Sequence, residues 1–176
     1  MKEILRLSVT LLLICAIVAA ALAAVNGVAG PVIAQRNAEK TRQAVEKVLP
    51  GGGAPLESFP DETGLVTAVY ASDKGYAIQV EPAGFNGTIV MMVGVVEGKV
   101  HEISVISQTE TPSLGSVAAA ENAKGQAFRS QFSGLSGVLA VRKDGGEVDA
   151  LTSATITSRA VTEGVNAALA CAAALD

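Results

Sequence analysis

Thr88-Ile89-Val90-Met91-Met92-Val93-Gly94-Val95-Val96, then Glu97-Gly98, then Lys99-Val100-His101-Glu102-Ile103-Ser104-Val105-Ile106-Ser107, is the stretch that decides the fold. The first run is apolar almost throughout and is expected to be a central strand. The second alternates, with Ile103 and Val105 against Glu102 and Ser104, and is expected to keep one solvated face. Glu97-Gly98 between them signals a tight hairpin. Working back from this pair, residues 66–71 and 76–81 read as two more strands, bounded by Asp73-Lys74-Gly75 and Gly84-Phe85-Asn86-Gly87. Working forward, a Ser/Ala-rich stretch leads to a short helix over 122–132. Weak strands are expected at 138–141 and 147–151, either side of an Asp144-Gly145-Gly146 turn. A last helix runs from about 158 to 175, with Val161, Val165, Ala168, Leu169 and Ala172 as its apolar stripe. Strands in sequence followed by helices imply an α+β domain with a mostly antiparallel sheet.

Upstream the chain changes character. From Leu7 through Gln35 there is no Asp, Glu, Lys or Arg, and residues 7–25 are almost unbroken Leu, Ile, Val and Ala. At about 1.5 Å per residue that run spans roughly 28 Å, close to the hydrocarbon thickness of a bilayer. A transmembrane helix is expected over 7–29, behind an N-terminal tip of 1–6. Ala21-Leu22-Ala23 has the small-x-small pattern of a signal-peptide cleavage site, but the apolar run outlasts a usual signal h-region, so an uncleaved anchor is preferred. Residues 30–53 are expected to form a linker helix, with Arg42 in reach of Glu46 and Ala38, Thr41, Val45, Val48 and Leu49 on one face, ending in a flexible Pro50-Gly51-Gly52-Gly53 joint. Residues 54–176 then form the main domain.

Charge narrows the partners. The chain is 176 residues long with a net charge of −4, and setting aside Lys2, Glu3 and Arg6 leaves the remainder more acidic still. That argues against nucleic acid or an anionic lipid surface as partner for the domain. Basic residues flank the apolar run on both sides (Lys2 and Arg6; Arg36, Lys40 and Arg42), so charge alone does not orient it. Cys15 lies in the apolar run and Cys171 near the end of the chain, so they do not pair, and no metal-ligand spacing occurs.

Two short segments carry chemistry. Asp149-Ala150-Leu151-Thr152-Ser153-Ala154-Thr155-Ile156-Thr157-Ser158 reads as a strand end, a turn of small residues, and a helix start capped by Thr157 or Ser158. Thr155 would sit just ahead of that helix N-terminus, where free backbone N–H groups and the helix dipole favour an anion such as a phosphate. Glu110-Thr111-Pro112-Ser113-Leu114-Gly115, directly after the hairpin, reads as a turn with an acceptor and a hydroxyl at its start. On spacing alone, a strand-turn-helix junction and a strand-ending loop explain both segments.

Together, however, they resemble the FMN-binding domain shared by the G subunits of Rnf complexes and the C subunits of sodium-pumping NADH:quinone reductases. In that family the turn is usually Glu-Thr-Pro-Gly-Leu-Gly, followed by a short helix ending in Gln-Phe, here Gln131-Phe132. The attachment motif, an Asp, two variable residues, Ser or Thr, usually Gly, then Ala-Thr, is matched from Asp149 to Thr155, with Ser153 in the Gly position. Further similar positions are the segment Pro31-Val32-Ile33-Ala34-Gln35-Arg36-Asn37 behind the anchor, Gly75-Tyr76, and the 84–87 turn. Ser113 and Ser153 each stand where the family usually has Gly, so their backbone torsions must be reachable with a Cβ.

The resemblance implies a covalent FMN, joined through its phosphate to the Thr155 hydroxyl, with Asp149 read by a flavin transferase that makes the bond from FAD. It implies cofactor contacts from Thr152, Ser153, Ala154, Thr157, Glu110, Thr111, Leu114 and Gly115, with no catalytic or metal-binding residue. With aromatics at 3%, the isoalloxazine is expected to rest on aliphatic side chains such as Leu114. His101, the sole histidine, is expected at the surface. The implied role is a single-pass, membrane-anchored electron carrier in a ferredoxin:NAD oxidoreductase complex coupled to ion transport. Its implied partners are the other membrane subunits, the transferase and membrane lipid. The N-terminus would be cytoplasmic and the domain outside the cell (inner) membrane. Alternatives are the quinone-reductase C subunit, a freestanding extracytoplasmic flavoprotein, and a flavin-free assembly or adaptor protein.

Overall fold

The computed structural model describes residues 2–176. Helix α1, Lys2–Val48, runs for 47 residues with Pro31 inside it. The expected anchor and linker helix are thus one continuous element, in which Pro31 has no N–H to bond to the preceding turn. Two compact units divide the chain, one up to Lys40 and the other Thr41–Asp176. In the first, Leu11, Leu12, Ile17 and Leu22 all face outward. Among the described residues α1 alone is long and apolar enough to cross a membrane. A helix that is apolar all round and buries none of that surface within its own chain matches a lipid environment.

The second unit is built on a five-stranded antiparallel meander, β1 Ala54–Pro55, β2 Val66–Ser72, β3 Gly75–Val80, β4 Val90–Val96 and β5 Lys99–Ser107, paired in chain order. β4 is central and buried along nearly its whole length, as its composition demands. The Glu97-Gly98 turn has both residues at positive φ (51° and 69°), the left-handed pair that matches strand twist in a two-residue hairpin. Helix α3, Thr155–Leu175, lays its stripe of Val161, Val165, Ala168, Leu169 and Ala172 on one face of the sheet, against Ile78, Val80, Met91 and Val93. Each fully buried valine there contributes about 1.5–3 kcal/mol.

The other face is covered too. Ala44, Val45 and Val48 at the end of α1, with Leu49, pack on Ala77 and Met92, so the compact unit starts at Thr41, ahead of the 54–176 boundary expected from sequence. Ser104, paired with Met92 on that face, is therefore buried, where a solvated face was expected. Gly94 allows the approach, since a Cβ there would lie 2.0 Å from the Val48 carbonyl oxygen. The 50–53 stretch turns the chain directly onto the sheet edge, where a Cβ added at Gly53 would lie 3.1 Å from Tyr70. The expected ion pair from Arg42 to Glu46 is present at 3.0 Å.

Helix α2, Ala123–Ser130, is capped by the Asn122 side chain, which accepts from the Gly125 N–H at 3.0 Å. A 3-10 turn at Gly115–Ala119 precedes it. The weak strands expected at 138–141 and 147–151 do not form. A single bridge joins Val141 to Val148, in parallel sense, around a 3-10 turn at Arg142–Asp144. The reason lies in two amide side chains that replace a strand partner. Asn166 pairs with both the N–H and C=O of Leu139, each at 2.8 Å. Gln131 does the same for Asp149, at 2.8 and 3.2 Å. With their main-chain groups already satisfied, these segments need no ladder.

Candidate functional site

Three pieces of chain far apart in sequence converge: the 84–87 turn, the 110–115 turn after β5, and the start of α3. Between them lies a cavity of about 350 Å³ lined by Phe85, Thr111, Leu114, Gly115, Ser153, Ala154, Thr155, Ile156 and Thr157. Leu114 also lines a neighbouring cavity of about 520 Å³, which contains Ser113, Lys124, Phe128, Gln131, Asp149 and Thr152. The two motifs picked out in the sequence are thus brought to one place.

α3 begins at Thr155, earlier than expected, and neither Thr157 nor Ser158 caps it. The N-cap position falls to Ala154, which has no side chain to offer. Ser158 is otherwise engaged: its hydroxyl accepts from the Leu151 N–H and donates to the Ala154 carbonyl, both at 2.9 Å. The first ladder bond runs from the Ser158 N–H to the Ala154 carbonyl at 3.0 Å. The N–H groups of Thr155, Ile156 and Thr157 therefore open the helix without an intrahelical acceptor, beside the cavity. Three free donors plus the positive end of a 21-residue helix suit an anion.

The threonines separate clearly. Thr157 is 1% exposed, and its hydroxyl donates to the Glu110 carboxylate. Thr152 is exposed in the neighbouring cavity. Thr155 is half-buried on the first cavity, and its hydroxyl makes no hydrogen bond among the described residues. Asp149 lies apart from the first cavity, its exposed carboxylate 2.7 Å from Arg142. Glu110 lines neither cavity. It is buried behind the first, where its oxygens accept from the Asn86 N–H (2.9 Å) and from Thr157.

Ser113 and Ser153 sit at φ of 64° and 62°, the left-handed conformation in which the resembling family usually has glycine. Both serines accept it, at a local cost of about 1–2 kcal/mol each. Phe85 is the residue that sequence reasoning missed. It is 64% exposed and lines the cavity alongside Leu114 and Ile156, so the wall is not aliphatic alone. An aromatic held out in a Gly-x-Asn-Gly turn was the available signal. His101 is exposed, away from this site, on a separate charged cavity with Lys47, Glu121 and Arg129.

A cavity beside a bare helix start, walled by a few apolar side chains, is suited to a phosphorylated planar ligand. In agreement, residues 84–170 match the model of the FMN-binding domain. The G subunit of the Na(+)-translocating ferredoxin:NAD(+) oxidoreductase complex of Acetobacterium woodii is 30% identical over 94% of this chain and 89% of its own length. The G subunit of the proton-translocating ferredoxin:NAD(+) oxidoreductase complex of Clostridium ljungdahlii is 37% identical over 106 residues, 57% of each chain. The G subunit of the ion-translocating oxidoreductase complex of Methanosarcina acetivorans is 27% identical over 96% of this chain and 94% of its own. The chain belongs to the family of G subunits of ion-translocating oxidoreductase complexes.

Proposed function

We propose that this chain is the membrane-anchored electron carrier of an Rnf-type ion-translocating ferredoxin:NAD oxidoreductase complex, with FMN esterified through its phosphate to Thr155. The observation that carries the covalent reading is the bare start of α3, with the unpaired Thr155 hydroxyl and three backbone donors on one cavity. A flavin transferase would join the Thr155 oxygen to the flavin-side phosphorus of FAD. The P–O–P bond breaks, AMP departs, and the hydroxyl proton is lost to a base or water. The exposed Asp149 remains accessible for recognition by that enzyme. When bound, FMN supplies one- and two-electron exchange. The residues of this chain would hold the phosphate at the Thr155, Ile156 and Thr157 amides and offer Phe85, Leu114 and Ile156 as apolar walls. Thr152 and Ser153 shape the turn, and Ala154 keeps side-chain bulk out of the approach.

The test is in-gel flavin fluorescence after co-expression with a flavin transferase. The native chain should give a band that survives boiling in detergent. Thr155→Val should abolish it, while Thr152→Val retains it. A fluorescent Thr155→Val chain would sink the assignment, and a dark native chain would favour a flavin-free adaptor. In this reading the N-terminus is cytoplasmic and Thr41–Asp176 lies outside the cytoplasm, in contact with other membrane subunits, while the anchor contacts lipid.

A further inference from the structure

We infer that Glu110 is a positioning residue for the proposed flavin site, setting the Phe85 turn against the start of α3 without touching the cofactor. The inference rests on the Thr155 reading above but concerns a side chain that lines neither cavity.

Glu110 is 5% exposed, and each carboxylate oxygen has one defined donor. Oε1 accepts from the Asn86 main-chain N–H at 2.9 Å. Oε2 accepts from the hydroxyl of Thr157, two residues after Thr155 in the first turn of α3. One side chain thus ties the turn that presents Phe85 to the helix end that presents Thr155. The fit is close on both sides. A Cβ at Gly84 would fall 2.4 Å from Oε1, and one at Gly115 would fall 2.5 Å from Oε2 and from the Thr157 hydroxyl oxygen. A side chain at either glycine would have to displace the carboxylate between them. The 84–87 turn is locked further by Asn86 donating to the Thr109 carbonyl at 2.7 Å and by the Thr109 hydroxyl donating to the Asn86 carbonyl at 2.8 Å.

The chemistry explains why an acid serves here. Both partners are donors, and an ionised carboxylate is acceptor-only. Gln can keep its oxygen on the Asn86 N–H, which has no alternative role. It then offers its NH₂ to Thr157, whose hydroxyl can reverse from donor to acceptor. Ala leaves the Asn86 N–H and the buried Thr157 hydroxyl without their acceptor, and Val at 157 removes only one of these bonds.

The experiment uses the full chain in detergent after co-expression with a flavin transferase, comparing native, Glu110→Gln, Glu110→Ala and Thr157→Val. Three quantities are read: the initial rate of flavin incorporation, the visible circular dichroism of the attached flavin, and the far-ultraviolet thermal midpoint. Loss of a buried hydrogen bond to a charged group at the site should slow incorporation about tenfold or more in Glu110→Ala and Thr157→Val. Both should alter the flavin's dichroism, and Glu110→Gln should recover most of the rate and the native spectrum. Should Glu110→Ala fail to fold, Thr157→Val decides, since it keeps the side-chain volume. Native rates and native dichroism in Thr157→Val and in every folded Glu110 variant, whatever their thermal midpoints, would reduce Glu110 to a fold stabiliser and overturn the inference. A native chain that takes no flavin at Thr155 is a separate failure, of the reading on which this one rests.

Discussion

At the scale of single residues, two serines carry a cost that glycine would not. Ser113 and Ser153 hold left-handed torsions beside the cavity, so Ser153→Gly should raise stability by about 0.5–1 kcal/mol, the relief of strain less the added freedom of the unfolded chain. Chemical denaturation in detergent measures this, and a loss of stability would show that the serine hydroxyl matters more than its torsion. The replacement of glycine was readable in sequence; the torsion it demanded was not, because backbone geometry is settled by the elements on either side. Phe85 offers a second contrast. Being 64% exposed, it can be replaced by Ala with a stability change within about 0.5 kcal/mol, yet the variant should change the visible dichroism of attached flavin. Cys171 behaves oppositely. Burial, reinforced by the charge of Asp61, pushes its thiol above the usual range. A maleimide added at neutral pH should therefore label Cys171 only after unfolding.

At the scale of elements, legibility followed the source of each element's stability. Strands β2 to β5 and the stripe of α3 were plain in the sequence because burial imposes a period on residue choice. β1 was not: two residues, one of them Pro55, pair at an edge and leave no pattern. The segments around Leu139 and Asp149 looked like strands because their composition is strand-like, but Asn166 and Gln131 supply the pairing from a distance. Asn166→Ala should therefore cost about 1–3 kcal/mol in thermal or chemical unfolding, since it strips both main-chain groups of Leu139. The site was legible as two motifs; that α3 starts at Thr155 behind an Ala154 cap position was not, because Ser/Thr clusters promise caps and the hydroxyls of Thr157 and Ser158 bond elsewhere. The end of α1 is held on the sheet by packing at Gly94 and by charge. Glu121 is kept below the usual carboxylate range first by the hydrogen bond from Lys47, then by the charges of Arg129 and Lys47, against a burial effect that raises it. A depressed folded-state pKa means a contribution that is present above the unfolded value and lost as pH falls through the folded one. The stability difference between the native chain and Glu121→Gln should thus shrink on acidification below about pH 4.3 and weaken in high salt, as expected for an exposed pair.

At the scale of the whole molecule, the chain belongs with the G subunits of multi-subunit ion-translocating oxidoreductase complexes. Between Leu7 and Gln35 the apolar segment bears no ionisable side chain other than the Cys15 thiol, so translocated ions should cross through other subunits. Membranes carrying Thr155→Val should still assemble the complex but lose ferredoxin-to-NAD electron transfer; native rates would make the flavin dispensable. Protease added to spheroplasts should remove Thr41–Asp176 and spare an N-terminal fragment, while full protection would reverse the topology. The bare start of α3 also has a consequence for how the finished protein is told from the unfinished one. Without a phosphate, the longest helix of the folded domain has no acceptors for its first amides, although Thr157 and Ser158 hold the turn itself in place. The amides of Thr155, Ile156 and Thr157 should then exchange with solvent about tenfold faster before loading than after, one hydrogen-bonded turn's worth of protection. If FMN is esterified to Thr155 as proposed, its attachment would cap the first turn of α3 as well as install the flavin.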